Sequence, residues 1–486
     1  MPCDPLCEDR DGPRDECGVF GIYAPGHEVS RLSYFALYAL QHRGQESAGI
    51  AAADRGGNIM TRRELGLVNQ VFNENDLRTL AGELAIGHVR YSTTGSNAWE
   101  NSQPVHRSEG TGGSSTELAL AHNGNLINAV QLHAQLSERG VSFSSTSDSE
   151  IVAALIATHP AVRIEDAIAD VLPSLHGAFS IVTMTRESVV AFRDPHGLRP
   201  LAIGVLDGAD GEPAYCVASE SCAFDIIGAT LVRDVEPGEI VTLGHDGIES
   251  RRVLPDARKA FCVFEYIYFA RPDSRMNGNV LQVARGRMGE ILARESPADA
   301  DLVIPVPDSG NAAARGYARA SGLPQDDGFV KNRYVARTFI QPGQELRKHG
   351  LRLKFNPLPE VVAGKRLVVV DDSIVRGNTT RQIVQMLRDA GALEVHMRIS
   401  APPIKHPCHY GIDMSTREEM IAHERSVEEI ARELGCDSLA YISLEGVYEA
   451  VGGERATHCD ACFTGEYPVE GSDGAQGKYA LEATPA

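Results

Sequence analysis

The chain has 486 residues, of which 43% are hydrophobic and 23% are charged, as in an ordinary globular protein. Its length suits two domains of about 200 residues each. A formal net charge of −20 opposes binding to nucleic acid but not to a small phosphorylated substrate. No stretch has the roughly 20 apolar residues that span a bilayer, so we expect no membrane partner. Sparse cysteines without a secretory signal predict a cytoplasmic protein.

An acidic segment, residues 1–16, precedes Cys17 and the apolar run "GVFGIYA". It has neither the charged start and apolar centre of a secretory signal nor the Arg and Ser richness of a transit peptide. Two interpretations remain. The segment is either a disordered end or a propeptide whose removal makes Cys17 the first residue.

The pattern of apolar and polar residues along the chain changes near residues 245–260. From residue 17 to about 255, short apolar runs alternate with Gly-rich turns and a few helical stretches such as "SDSEIVAALIATHP", which predicts packed layers of sheet and helix. From 256 to 468, strands and helices alternate, which predicts a mostly parallel α/β sheet. The small, polar residues 469–486 are expected to form a flexible tail.

The most specific local signal is "RLVVVDDSIVRGNTTRQIVQ", residues 366–385. A buried strand ends in Asp371 and Asp372, and a loop with Gly377 then enters a helix. In open α/β sheets ligands bind beyond the carboxyl ends of strands, and a helix start offers N–H groups to a phosphate. The paired carboxylates suit ribose hydroxyls or Mg²⁺. A capped helix after a core strand is the simpler alternative, but the combined order of strand, acids, glycine and threonines favours a phosphate site.

Residues 366–380 resemble the phosphoribosyl pyrophosphate (PRPP) motif of type I phosphoribosyltransferases. The resemblance implies a Mg²⁺ site near the diphosphate at Ser309, Asp371 and Asp372. It also implies a flexible hood over the substrate, within "KNRYVARTFIQPGQELR" at 331–347. The residues that would contact PRPP are Asp371, Asp372, Ser373, Arg376, Gly377, Asn378, Thr379, Thr380, Lys331, Arg333 and Arg337.

Four stretches of the first half complement Cys17, namely "LQHRGQESAGI", "GHVRYSTTG", "AHNGNLIN" and "TSDSE". A thiol needs a base, and a freed α-amino group with a pKa of about 7.7–8.0 would serve. Singly, each stretch is weak: Asp148 alone is typical of a helix N-cap. As an ordered set they resemble the glutaminase domain of N-terminal-nucleophile amidotransferases. The resemblance implies that Arg90 and Asp148 bind glutamine, while Asn123 and Gly124 form the oxyanion hole.

Four late cysteines remain to be interpreted. The "HCDACF" stretch holds Cys459 and Cys462, and Cys262 and Cys408 stand alone. A C-x-x-C pair by itself fits zinc, iron–sulfur or redox chemistry. From spacing alone a metal site and ordinary core cysteines are about equally supported.

Residues 17 to about 468 resemble the glutamine phosphoribosylpyrophosphate amidotransferases. The subgroup with a cleaved propeptide and a [4Fe–4S] cluster fits best, because it carries four cysteines arranged as here. The implied fold is a layered α-β-β-α glutaminase followed by a type I phosphoribosyltransferase domain, α+β and α/β in class. The implied reaction forms 5-phosphoribosylamine and pyrophosphate from glutamine and PRPP, the first step of purine synthesis. Purine nucleotide inhibitors and a homodimer or tetramer are also implied.

Two other functions stay open at this stage. A sugar-phosphate amidotransferase shares the glutaminase constellation, but its synthase domain lacks "VVVDDSIVRGNTT". A non-catalytic PRPP-sensing regulator shares the second fold, but it needs a DNA- or partner-binding module that the first half does not offer.

Overall fold

The computed structural model describes residues 16–54, 56–92, 94–111, 114–209, 211–254, 257–332, 354–412, 414, 416–469, 471 and 479–482. The predicted propeptide, up to residue 15, lies outside these ranges, as do Arg333, Arg337 and the predicted domain boundary at 255/256. Among the described helices, none is long and apolar enough to cross a membrane.

The first domain contains two antiparallel sheets. In chain order its strands are β1 Gly18–Tyr23, β2 Ser47–Ala53, β3 Met60–Leu65, β4 Leu84–Arg90, β5 Val105–Thr111, β6 Ser114–Leu126, β7 Gly177–Met184, β8 Val189–Arg193, β9 Ala202–Asp207, β10 Pro213–Ala218, β11 Thr230–Asp234, β12 Glu239–Gly244 and β13 Gly247–Arg252. One sheet has the order β11-β9-β10-β1-β4-β2-β3, and the other has the order β13-β12-β8-β7-β6-β5.

Helices cover the outer faces of both sheets. They are Val29–Ala39, Val68–Val71, Glu74–Thr79 and Cys222–Ile227 on the first sheet, and Ala129–Glu138, Asp148–Ala157 and Ile164–Val171 on the second. Short 3₁₀ turns lie at Trp99–Asn101 and Leu172–Ser174.

Strand β1 explains why the sequence of the first domain consists of short apolar runs. Successive side chains of a strand point to opposite faces. Phe20 and Ile22 pack against the helices, while Val19 and Tyr23 lie in the apolar layer between the two sheets. A strand covered on both faces is apolar at every position. The layered α-β-β-α fold is confirmed.

The second domain is built on a parallel sheet of order β17-β20-β21-β22. Its strands are β14 Phe261–Cys262, β15 Arg275–Met276, β16 Asn279–Val280, β17 Leu302–Pro305, β18 Phe329–Lys331, β19 Phe355–Pro357, β20 Arg366–Asp371, β21 Glu394–Ile399, β22 Ser438–Tyr441 and β23 His458–Cys459. Its helices are Leu281–Glu295, Asn311–Ser321, Pro359–Val362, Asn378–Asp389, Val427–Leu434, Leu444–Val451 and Ala461–Thr464, with a π-helical turn at Glu265–Phe269 and 3₁₀ turns at Arg417–Glu419 and Arg455–Thr457. The predicted parallel sheet is confirmed.

Part of the predicted flexible tail, residues 469–486, is packed against the rest of the protein. Residues 479–482 lie against the first domain, where Leu481 is only 6% exposed and belongs to the apolar cluster beneath the second sheet.

Candidate active site

Cys17 lies directly before β1 and is 5% exposed. Its thiol donates a hydrogen bond to the carbonyl oxygen of Tyr91 at 3.2 Å. Burial raises the pKa of the Cys17 thiol to about 11, so the thiol is protonated at neutral pH. A base has to remove this proton before the sulfur can act as a nucleophile.

Arg90 and Asp148 both lie close enough to Cys17 to influence its pKa. Arg90 ends β4 and is 2% exposed; its Nη1 makes no hydrogen bond, and the carboxylate of Glu46 is 3.8 Å away. Asp148 begins its helix. Burial opposes its ionisation, but His122 and two backbone N–H groups, one from Leu126 at 3.0 Å, hold its pKa below the ordinary value. The cation Arg90 and the carboxylates of Glu46 and Asp148 therefore surround the thiol, and both signs of charge that the carboxylate and ammonium of an amino acid require are present.

Asn123 lies within β6 and is fully buried, yet neither polar atom of its amide has a hydrogen-bond partner. A buried amide without a partner is costly, which points to a ligand that completes it. The next residue, Gly124, has a φ of +143°, and a Cβ there would meet the Ala178 carbonyl oxygen at 2.0 Å. Only glycine fits at this position.

A buried polar network behind these residues escaped the sequence analysis. Gln103 accepts a hydrogen bond from the His122 N–H at 2.7 Å and donates to the Ser149 hydroxyl at 2.9 Å. The His88 ring bonds to the His122 carbonyl oxygen at 3.0 Å, and burial lowers the pKa of His88 to about 3. The network fixes His122 beside Asn123 and Asp148. In the sequence, the only indication of this network is that His88 lies within "GHVRYSTTG" and His122 within "AHNGNLIN".

Glu16, the residue before Cys17, is buried in a cluster of charged groups. Its carboxylate contacts Arg43 at 3.1 Å and also Arg199. Arg43 pairs further with Glu220 and Glu265, each at 2.5 Å. Glu265 belongs to the second domain, so this cluster joins the residue before Cys17 to the domain interface. Arg43 lies within "LQHRGQESAGI", and the sequence predicted no role for it.

The second site lies at the carboxyl edge of the parallel sheet. Asp371 ends β20 and Asp372 follows, both 7% exposed. Burial and the neighbouring Asp372 raise the pKa of Asp371 well above its ordinary value. The Ser309 hydroxyl lies 3.5 Å from the Asp371 carboxylate. The structure thus brings together the three predicted Mg²⁺ ligands, and two adjacent buried carboxylates suit a divalent cation.

The predicted phosphate loop leads into the helix Asn378–Asp389. Gly377 stands at its N-cap with a φ of +83°, and a Cβ there would approach Ile421 Cδ1 to 2.5 Å. The hydroxyl of Ser373 donates to Asp372 at 2.5 Å, and Arg376 pairs with Glu419 at 3.0 Å. Asn378 is exposed, Thr379 is half-buried and Thr380 is buried. A helix N-terminus with a tight turn and hydroxyl groups is a phosphate-binding arrangement.

Of the three PRPP-binding residues predicted in the hood, Lys331 lies within the described residues. It ends β18, and its ammonium pairs with Asp308, one residue before Ser309. This places a cation on the diphosphate side of the sheet edge.

The four predicted cluster ligands converge. Cys262 and Cys459 face each other in the parallel pair β14–β23. Burial and the neighbouring thiols raise the pKa of Cys459 and Cys462 well above the ordinary value, and Cys408 is among those neighbours. In the described part of the chain no three such side chains are spaced for a single metal ion. A four-iron cluster separates its thiolates further, because each binds a different iron atom, and the donor set fits it.

The two domains are in contact at the loop that carries Cys408. Gly411 has a φ of +105°, and a Cβ on it would come 3.0 Å from the Cα of Gly124. Asn125, the residue after Gly124, donates its side-chain amide N–H to the His409 carbonyl oxygen at 3.0 Å. The second domain therefore rests directly on the strand that carries Asn123.

Comparison with known proteins agrees with this architecture. Residues 88–225 match the model of a glutamine amidotransferase domain. The amidophosphoribosyltransferase of Synechocystis is 53% identical over 94% of this chain and 92% of its own length, and that of Bacillus subtilis is 49% identical over 94% and 95%. The solved B. subtilis PRPP amidotransferase with ADP and GMP superimposes with a TM-score of 0.87 at 48% identity, over 93% of this chain and 98% of that one.

The fold and the paired sites define a two-domain enzyme, a glutaminase joined to a phosphoribosyltransferase sheet. The chain belongs to the amidophosphoribosyltransferase family. This membership confirms the predicted enzyme class and the type of reaction, against both a sugar-phosphate amidotransferase and a non-catalytic regulator.

Proposed function

We propose that the chain transfers the amide nitrogen of glutamine to PRPP, giving glutamate, 5-phosphoribosylamine and pyrophosphate, the first step of purine synthesis. One observation carries the proposal. A buried cysteine beside buried polar groups without hydrogen-bond partners and a sheet edge suited to phosphate occur in one chain, and their two domains touch at Gly411 and Gly124.

In the first domain the sulfur of Cys17 attacks the carboxamide carbon of glutamine. Arg90 Nη1, which makes no hydrogen bond, receives the α-carboxylate, and Asp148 receives the α-ammonium. The Asn123 amide and the Gly124 N–H stabilise the oxyanion. Ammonia leaves with the proton taken from the thiol, and water then hydrolyses the thioester to glutamate.

The proton acceptor is the α-amino group of Cys17, which exists only after residues 1–16 are removed. Hydrolysis of the Glu16–Cys17 bond converts a peptide nitrogen into an amine with a pKa of about 7.7–8.0, suited to moving a proton at neutral pH. Burial of Glu16 between Arg43 and Arg199 fixes the position of that bond.

In the second domain the nitrogen of ammonia bonds to C1 of PRPP as the bond from C1 to the pyrophosphate oxygen breaks. The excess proton on nitrogen is released. Thr379, Thr380 and the start of their helix bind the 5′-phosphate. Asp371, Asp372 and Ser309 would hold Mg²⁺, which would neutralise charge on the leaving pyrophosphate. Because free ammonia protonates in water, transfer across the domain contact is favoured over release.

Cys262, Cys408, Cys459 and Cys462 would hold a [4Fe–4S] cluster with a structural role. The ligands lie on β14, β23, the helix after β23 and the loop that reaches Gly124. A cluster there would tie the beginning of the second domain to its end and to the first domain.

Regulation by purine nucleotides and assembly into a homodimer or tetramer complete the proposal. The B. subtilis relative was solved with ADP and GMP, and a further structure, covering 96% of this chain with a TM-score of 0.89, is described as the allosteric regulatory enzyme of purine biosynthesis.

The deciding experiment is Cys17→Ala, with Cys436→Ala as the control at another buried cysteine. We expect Cys17→Ala to abolish product formation from glutamine and to retain formation from ammonium salts, with pyrophosphate release measured in both assays. Loss of both activities in a folded variant would contradict the division of labour.

A further inference from the structure

Residues 479–482, here called the tail strap, return from the end of the chain to the glutamine side of the first domain. Leu481 shares an apolar cluster with Leu126 and Ile151. Leu126 donates its N–H to Asp148, so the strap is anchored in the layer that supports the ammonium-binding carboxylate.

Glu482 makes the specific contact of the strap. Its Oε1 accepts a hydrogen bond from the Ser96 N–H at 2.7 Å. The carbonyl oxygen of Ser96 accepts from Arg90 Nη2 at 3.3 Å. A single residue, Ser96, therefore connects Glu482 through its N–H and Arg90 through its carbonyl oxygen, and Arg90 carries the guanidinium that would receive the substrate carboxylate.

The loop between β4 and the 3₁₀ turn at Trp99–Asn101 is held by side chains, among them Glu482 at the Ser96 N–H and Asn101 at the Ser96 carbonyl oxygen. Its described part contains no helix or strand. Arg90 Nη2 also binds the Thr94 carbonyl oxygen at 3.2 Å, so loop carbonyls set the plane of the guanidinium. Because an arginine recognises a carboxylate through two parallel hydrogen bonds, a small rotation of that plane weakens binding.

We propose that the tail strap is a positioning element for glutamine: Leu481 anchors it, and Glu482 acts through Ser96 to orient Arg90. The inference rests on the proposed function, since it assigns Arg90 the glutamine carboxylate. Neither Leu481 nor Glu482 touches the substrate. Their removal changes the affinity for glutamine rather than the chemical step.

The test uses the full chain with Glu482→Ala and Leu481→Ala. The matched controls are Glu424→Ala and Leu393→Ala, at exposed residues of the second domain. We expect a three- to tenfold higher KM for glutamine, roughly the effect of one lost hydrogen bond. The kcat with glutamine and the rate with ammonium salts stay within about twofold of wild type. Glu482→Gln, which keeps an acceptor oxygen, restores most of the affinity.

A second readout separates this inference from the proposed function. Alkylation of Cys17 by a diazoketone analogue of glutamine slows in the strap variants, whereas alkylation by iodoacetamide, which needs no arginine, does not. An unchanged KM and unchanged analogue labelling in both variants would overturn the strap. Equal loss of both labelling rates would also overturn it, by indicating a general structural role. If wild type forms no amine from glutamine, the proposed function fails and analogue labelling still decides on the strap.

Discussion

Gly411 of the second domain lies against Gly124 of the first so closely that no side chain fits between them. A Cβ on Gly411 would come 3.0 Å from both the Cα and the carbonyl carbon of Gly124. Gly124 follows Asn123, so the groups that would stabilise the oxyanion are supported from the opposite domain.

Gly411→Ala should therefore impair the glutaminase selectively. The substitution adds strain of about 1–3 kcal/mol at a positive φ and also pushes the Cys408 loop away from β6. Gly435→Ala is the control, because its φ of +76° brings the same strain but a Cβ there has no atom within 4 Å. We expect the glutamine-dependent rate to fall in the first variant alone, while both variants lose thermal stability, Gly411→Ala the more because its Cβ also presses on Gly124. Equal rates in the two variants would show that the contact has no catalytic consequence.

Asn123→Ala should lower the glutamine-dependent kcat by about 10²–10³-fold, the cost of one oxyanion donor. Its melting temperature should barely change, because the amide makes no hydrogen bond in the unliganded protein. Asn128→Ala gives the opposite pattern. Its amide bonds to Ser174 and His176, so its loss costs stability but not kcat. Steady-state kinetics and calorimetry on both variants check this contrast.

Glu220→Gln should destabilise the domain interface in a pH-dependent way. Burial opposes ionisation of Glu220, but His42 and Arg43 outweigh it and hold its pKa far below the ordinary value. Breaking such a buried pair costs about 3–5 kcal/mol. Because the pKa is depressed in the folded protein, this stability is complete above the unfolded value of about 4.3 and is lost as the pH falls further.

Melting temperatures of wild type and Glu220→Gln, measured from pH 7 to pH 3, check the prediction. The difference should be constant down to about pH 5 and shrink below about pH 4.3. The exposed Glu187 provides the control Glu187→Gln, which should follow wild type. A difference between wild type and Glu220→Gln that widens in acid would contradict the assigned ionisation.

Cys459→Ser should abolish the iron and acid-labile sulfide of the purified protein, whereas Cys436→Ser should leave both intact. Cys459 pairs with Cys262 across β14 and β23, so its ligation closes a long loop of the chain. By analogy with a cross-link of that length, we expect a loss of roughly 2–5 kcal/mol. Thermal unfolding under anaerobic conditions measures it. Full iron content in Cys459→Ser would remove this residue from the ligand set.

Local sequence predicted those parts of the fold that depend on periodicity. The apolar run at 366–371 became β20, and the helix expected from "TTRQIVQMLRDAG" became Asn378–Asp389. The candidate site residues were predicted only as an ordered set resembling a family. Their spacing in the chain carries no information on distance in space.

The remainder depends on contacts between distant residues. Arg43 meets Glu265 across 222 positions, and the His122–Gln103–Ser149 network combines a strand, a loop and a helix. Neither leaves a periodic pattern in the sequence. The small polar residues near the end of the chain predicted a flexible tail. A single leucine in that segment, Leu481, does not indicate from the sequence that it packs into an apolar cluster.

The bond between Ser96 and Glu482 spans 386 residues, which has a consequence for synthesis of the protein. A ribosome adds about 5–20 residues per second, so about 20–80 s pass between the emergence of the glutamine-side loop and that of its anchor. The first domain thus folds while one of its own contacts has yet to be made. By the strap proposal, its glutamine site reaches full affinity only after the phosphoribosyltransferase domain has been translated.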